Sequence, residues 1–251
     1  MRWAEDSAAL YQSWPVLRDL RYGSAPRQRL DIFPARRIGR PILVFIHGGY
    51  WQWGHKEDEA FVATGPLAHD INVVNVEYTL CPQISLDGMV GEIHAALDWL
   101  SPRLAEFNAD PSRLIVGGSS AGAHLAAMML HRPEVTGALL ISGIYDLEPI
   151  GLSGLNDALR MDMHVARRNS PLLHLPTSAA PVCFAVGADE LPELMHQTHE
   201  YHRAWEAAGL PGSKATLSAV NHFSIMDELA RPDGRLTRAL LRLCGQPDAA
   251  C

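Results

Sequence analysis

Long hydrophobic runs are missing from this chain of 251 residues. No apolar stretch approaches the roughly 20 residues that a membrane-spanning helix needs. The first residues, Met1-Arg-Trp-Ala-Glu-Asp, carry charge where a secretory leader would need an apolar core. An excess of basic residues is missing too. The formal charge of −7 offers no cationic face to nucleic acid and no polybasic anchor to a membrane. Cysteine is scarce: Cys81, Cys183, Cys244 and Cys251 lie far apart, with no C-x-x-C pair. That argues against a zinc cage and against a disulfide framework, and reduced thiols in a cytoplasm are the plain reading. There is no internal repeat, low-complexity tract or linker long enough to divide the chain. With charged residues at 20% and hydrophobic ones at 47%, the composition is that of an ordinary globular protein. The expectation is a single domain over 1–251, with no nucleic-acid or membrane partner; a homodimer is compatible with it.

What is present is an alternation of strands and helices. After a loose or helical lead-in over 1–15, Leu17–Tyr22 and Gln28–Phe33 read as two strands joined by a turn around Gly23 and Pro26. Pro41-Ile-Leu-Val-Phe-Ile46 is continuously apolar, as expected of a strand buried on both faces of a parallel sheet. A helix over 57–69, a strand at Ile71–Tyr78 and an amphipathic helix over Leu86–Glu106 follow. Strands are then predicted at Leu114–Val116, Gly137–Ser142, Val182–Val186 and Lys214–Val220, with a helix at Pro192–Ala208 and another closing the chain. Residues 144–180 break the pattern with prolines, glycines and one short helix around Asn156–Arg168, too long for a bare connection and so a small cap or functional loop. Strands alternating with helices imply a mostly parallel, doubly wound α/β sheet with helices on both faces.

In such a sheet, ligands bind beyond the carboxyl ends of the strands. The reactive residue types gather there. Gly118-Ser119-Ser120-Ala121-Gly122 reads as G-x-S-x-G, with a strand before it and an alanine- and methionine-rich helix after it. A serine on so tight a turn points its hydroxyl out of the sheet, making Ser120 the candidate nucleophile. Its hydroxyl is a poor nucleophile at neutral pH and needs an imidazole to take its proton. His222, directly after a late strand, is the best-placed base, and a carboxylate must hold its other nitrogen. Asp189 and Glu190 follow the preceding strand, and on an extended strand end they would point to opposite sides. Residue spacing leaves both open. The order serine, acid, histidine is that of the α/β-hydrolase triad.

The oxygen of an attacked carbonyl becomes negative and needs fixed N–H donors. The amide of Ala121 is one candidate, and the turn Gly48-Gly49-Tyr50 after the early strand supplies the others. Tyr50, Trp51 and Tyr145 lie on or beside loops at the same end and form a candidate apolar wall for substrate. Tyr145 ranks first as a contact, and Trp51 reads better as a buried support of the turn. His196, His199 and His202 step by three along a helix, a spacing that drifts around its axis. They read as a solvated face, and no metal is expected.

Beyond these residues the chain resembles the kynurenine formamidase (arylformamidase) branch of the α/β-hydrolases. The likeness rests on His47-Gly-Gly-Tyr-Trp51, Ser120-Ala-Gly-Ala-His-Leu-Ala-Ala-Met-Met-Leu130, Ser142-Gly-Ile-Tyr-Asp-Leu-Glu-Pro149, Arg168-Asn-Ser-Pro171 and Tyr22-Gly23 with Leu30-Asp31. It covers nearly the whole chain, cap region included. The resemblance implies hydrolysis of an aryl formamide such as N-formyl-L-kynurenine, without metal or organic cofactor, and other amides or esters as further small-molecule substrates. It also favours Glu190 as the acid, three residues past Gly187 and just before Pro192-Glu193. Ser119 departs from the histidine more often found there. A carboxylesterase of broad short-acyl specificity and an inactive hydrolase fold used for binding are the competing readings.

Overall fold

In the computed structural model, residues 2–246 are described; Cys251 lies outside them. The elements run α1 (Arg2–Ser13), β1 (Leu17–Arg21), β2 (Arg29–Phe33), β3 (Arg40–Ile46), α2 (Thr64–Ala68), β4 (Asn72–Val76), α3 (Leu86–Leu100), β5 (Ala109–Ser119), α4 (Ala121–Ala127) and β6 (Val135–Ile141). Next come α5 (Glu148–Gly151), α6 (Asn156–Leu159), α7 (Met163–Arg168), β7 (Val182–Gly187), α8 (Pro192–Ala207), β8 (Gly212–Leu217), α9 (Asp227–Ala230) and α10 (Arg235–Leu243).

All eight strands form one sheet in the order β1-β2-β4-β3-β5-β6-β7-β8. β2 pairs antiparallel with β1 and with β4, and every other neighbouring pair is parallel. The central strands are continuously apolar because both of their faces are covered. Ile42, Val44 and Ile46 join one cluster with Ile93 and Leu97 of α3, Leu125 of α4 and Trp205 of α8. Leu43 and Phe45 point the other way, into a cluster with Phe61 and with Leu236 and Leu240 of α10. Each such side chain taken from water stabilises the fold by roughly 2 kcal/mol. The chain leaves β3 toward β4, then returns to lay β5 on its other side. That reversal opens a crevice at the carboxyl ends of β3 and β5, where sheets of this kind hold ligands.

Several element boundaries differ from those expected of the sequence, and β5 is longer at both ends than Leu114–Val116. The helix over 57–69 is a 3-10 turn, Ala60–Ala63, followed by the short α2, because Pro66 has no N–H to donate back. The helix over Leu86–Glu106 ends as α-helix at Leu100 and tightens to 3-10 over Ser101–Phe107, where Pro102 interrupts the ladder. The helix around Asn156–Arg168 is split into α6 and α7 by the left-handed Arg160. α7 restarts on Asp162, whose carboxylate accepts the N–H of Val165 at 2.8 Å. β8 stops at Leu217, two residues before the left-handed Ala219, rather than running to Val220.

Candidate active site

Ser120 stands between β5 and α4 with φ 53° and ψ −119°, a strained conformation for a residue with a side chain. Its N–H donates to the Ile141 carbonyl at 2.8 Å, which ties the turn to β6. The flanking glycines follow from the crowding. A Cβ on Gly118 would lie 2.6 Å from the Ile46 carbonyl oxygen, and one on Gly122 only 2.0 Å from the same atom. The elbow thus packs against the end of β3 with no room for a methyl group. At the start of α4, the Ala121 N–H is among those that a helix leaves without an internal acceptor.

Glu190 lies just past β7, and His222 lies in the loop after β8. Nδ1 of His222 meets Oε2 of Glu190 at 3.0 Å. With that nitrogen donating to the carboxylate, Nε2 is left as the basic one. The other carboxylate oxygen, Oε1, accepts the Gly187 N–H at 3.0 Å and the hydroxyl of Ser142. Burial alone would push the Glu190 carboxyl up. The bonds from His222, Ser142 and Gly187 outweigh it and hold the carboxyl below its usual range. Asp189, the alternative left open by spacing, has its side chain in solvent and its N–H on the Val220 carbonyl. The histidine loop is held by Asn221, whose Oδ1 accepts the N–H groups of Phe223 and Ser224, both at 3.0 Å.

The turn after β3 is tightly wound. Gly49, Tyr50 and Trp51 have φ of 108°, 49° and 61° in succession. A Cβ on Gly49 would come within 2.2 Å of the Trp53 carbonyl oxygen, so only glycine fits. The Gly48 amide is not free as a donor to substrate, as the sequence reading had it. Its N–H donates to Oε1 of Glu59 at 3.1 Å, which leaves Gly49 and Tyr50 as the candidates in this turn. His47 anchors the turn from below: Nδ1 to the Gly48 carbonyl at 2.8 Å, Nε2 to Oε1 of Glu77 at 3.3 Å, and its ring stacked on Tyr78. Glu77 is buried, which would raise its carboxyl, yet His47 and Arg27 bring it down to about 2.

Two of the three aromatic expectations concern residues with no accessible surface. Trp51 is buried as a support, its indole N–H donating to Nδ1 of His124 at 3.1 Å. His124 in turn reaches the Asn169 carbonyl through Nε2 at 2.8 Å. Tyr145, ranked first as a substrate contact, is 0% exposed and packs on Tyr201 with ring centroids 4.6 Å apart. It is a floor to the cap rather than a wall of the site, because its backbone N–H is drawn inward to Gln197 Oε1 at 2.7 Å. Tyr50 stays half-buried. The aromatics that sequence reasoning overlooked are Trp53, 57% exposed and edge-on to Tyr50, and Phe223, 66% exposed beside His222. Their positions, two residues past Trp51 and next to the candidate base, were the signal available. Glu59, Ser142 and His124 were missed as well, since nothing in their local sequence marks a contact made across 45 residues or more.

The 144–180 segment is tied to the rest of the fold at two points. Arg168 grips Asp87 with two hydrogen bonds of 2.8 and 2.6 Å, and Gln52 of the β3 turn donates to the Leu155 carbonyl at 3.0 Å. A cavity of about 590 Å³ lies there, lined by Gln52, Trp53, Leu80, Pro82 and Ala158 among others. The three helical histidines are not one solvated face. His196 is exposed, but His202 is buried against Phe184 and paired with Glu206, because its side of α8 faces the sheet. Among the described residues, His55, Glu57 and Glu77 are grouped closely enough to share a cation. Arg27 already supplies positive charge there, 2.5 Å from Glu77 and 3.1 Å from His55.

Comparison with known proteins brings these observations together. A family model described as BD-FAE matches residues 30–136. Kynurenine formamidase of Danio rerio is 34% identical over 246 residues, spanning 92% of this chain and 83% of that protein. The Salmo salar kynurenine formamidase is 35% identical over 250 residues, with the same coverage. Among solved structures, a candidate thioesterase from silicibacter sp. tm1040 superposes with a TM-score of 0.85 at 27% identity, covering 96% of this chain and 91% of that one.

Proposed function

The chain belongs to the kynurenine formamidase family of α/β-hydrolases, and on that premise we propose that it cleaves the carbon–nitrogen bond of an aryl formamide such as N-formyl-L-kynurenine. In this reading Ser120 is the nucleophile, His222 the general base and acid, and Glu190 the carboxylate that orients the imidazole. His222 takes the Ser120 proton through Nε2 as the hydroxyl oxygen bonds to the formyl carbon. The carbonyl oxygen turns negative and is held by N–H groups of Gly49, Tyr50 and Ala121. The tetrahedral adduct collapses as imidazolium protonates the leaving nitrogen, so that the arylamine departs and formyl-serine remains. Water, deprotonated by the same imidazole, then attacks the formyl-serine, releasing formate and restoring Ser120.

The observation that carries the reading is the His222–Glu190 contact of 3.0 Å, made at the same carboxyl-terminal end of the sheet as the strained Ser120. A base oriented by a buried, ionised carboxylate has little structural purpose beside a surface loop. The aryl group is assigned to the side of Tyr50 and Trp53, where aromatic surface remains open and a cavity adjoins the turn. The chemistry needs no metal or organic cofactor, and the protein is proposed to act in the cytoplasm on a small molecule, without nucleic-acid or membrane partners. Ser120→Ala tests the nucleophile. Wild-type protein should be labelled stoichiometrically by a fluorophosphonate and the variant not at all; equal labelling of both would remove Ser120 from its role.

A further inference from the structure

Glu59 takes no part in the triad, yet its carboxylate stands between the two turns that do the chemistry. Oε1 accepts the N–H of Gly48, the first glycine of the β3 turn, at 3.1 Å. Oε2 accepts the hydroxyl of Ser119, the residue before the nucleophile, at 2.9 Å. The two turns touch directly: a Cβ on Gly48 would lie 3.0 Å from Ser119 Oγ and 3.4 Å from Ser120 Cβ. Glu59 itself sits at the start of the 3-10 turn Ala60–Ala63, all four residues of which are buried. The carboxylate is therefore mounted on the core and grips both turns at once.

The charge has a cost. Burial raises the Glu59 carboxyl above its usual range, against the opposing pull of His47, Ser119, Gly48 and His222. A group so raised is destabilising once ionised. The penalty is absent below the unfolded pKa and grows as pH rises through the folded one. A neutral amide of the same shape could accept from Gly48 and donate to Ser119 Oγ without that penalty, so what holds the two turns together is the pair of hydrogen bonds and not the charge. The charged and titratable groups around it are His47 and His222, with Glu77 beyond the first and Glu190 beyond the second.

We propose that Glu59 is a positioning residue for hydrolysis, clamping the β3 turn to the nucleophile turn so that the Gly49 and Tyr50 N–H groups are preset around the carbonyl that Ser120 attacks. This rests on Ser120 being the nucleophile. Losing the clamp lets the donors drift, which affects the transition state more than the bound substrate, because the oxyanion exists only there. A misplacement on the order of 1 Å can cost up to about 100-fold in rate.

The experiment is a comparison of wild type with Glu59→Ala, Glu59→Gln, Ser119→Ala and the Glu59→Ala, Ser119→Ala double variant, by kinetics on both N-formyl-L-kynurenine and p-nitrophenyl acetate and by thermal melting at pH 7.5 and pH 4. Glu59→Ala should lower kcat by about 10- to 100-fold with KM changed less than about threefold. Glu59→Gln should recover most of that kcat and melt at or above wild type at pH 7.5, with the melting difference gone at pH 4. Ser119→Ala, which removes one arm of the clamp and spares the core, should lose less than Glu59→Ala, and the double variant should be no worse than Glu59→Ala alone. Wild-type kcat in Glu59→Ala, or failure of Glu59→Gln to recover it, would overturn the clamp. A wild type that cleaves the ester but not the formamide overturns the substrate assignment instead, and the clamp is then judged on the ester. A wild type that cleaves neither overturns the hydrolase reading and the clamp together.

Discussion

A serine hydroxyl becomes a nucleophile through its surroundings, and the role proposed for Ser120 draws on a positive-φ backbone and two flanking glycines without room for a Cβ, with His222 held by the buried Glu190 two and three strands further along the sheet. The choice of acid has a direct consequence. Glu190→Gln should lower kcat on the order of 10²- to 10⁴-fold, since His222 loses both its orientation and the charge that stabilises imidazolium. Asp189→Asn should change it little, because that side chain is in solvent; steady-state kinetics of the two variants decides, and the reverse ranking would assign the acid to Asp189. Trp53→Ala should raise KM for an aromatic formamide several-fold while leaving kcat on a small ester near wild type, and an unchanged KM would move the aryl site elsewhere. Ser120 and His222 were legible in the sequence because their types and flanking turns are restrictive. Residue spacing left the carboxylate open within a pair, and only the resemblance favoured Glu190, the one that meets His222. Tyr145 was misread because following a strand says nothing about which way the backbone turns next, and Gln197 draws it inward. Glu59 was invisible, being an ordinary glutamate in a charged run.

At the scale of elements, the site is held by a relay running from the β3 turn through α4 to the cap. Trp51 donates to His124, and His124 donates to the Asn169 carbonyl. Arg168 and Asn169 then bind Asp87 at the start of α3. Burial takes the His124 imidazole down to about 4, so it is neutral in the fold. An unfolded histidine takes up its proton near pH 6.5. Below that pH the unfolded chain binds a proton that the native one does not, and stability falls until the folded value is reached. Chemical denaturation should show a loss of roughly 3 kcal/mol from pH 6.5 to pH 4 through this group, and His124→Gln should flatten that part of the profile. A variant with the unaltered slope would mean another group is responsible. The strands were legible because burial on both faces leaves unbroken apolar runs such as Ile42–Ile46. Helix ends were not, since Pro102 opens a 3-10 stretch where the apolar pattern continues, and Pro66, with no N–H for the preceding turn, leaves only the short α2 behind the 3-10 turn Ala60–Ala63.

For the whole molecule, position in the sheet decides what the side chains can do. The reversal between β3 and β5 brings the Gly49–Tyr50 turn beside the Ser120 elbow, and β7 and β8 deliver Glu190 and His222 to the same end of the sheet. Alternation of strands and helices was enough to foresee a mostly parallel sheet with these loops at one end, though not the order of its strands. The cap was foreseen only as an interruption, because its three short helices are fixed by distant partners such as Asp87, Gln52 and Gln197 rather than by their own periodicity. The central claim is that this architecture serves an aryl formamide. Its most direct test is kcat/KM for N-formyl-L-kynurenine measured beside that for p-nitrophenyl acetate, on the same preparation and with Ser120→Ala as the blank. Efficiency should be higher on the formamide and abolished in the variant; a clear preference for the ester would overturn the formamide assignment.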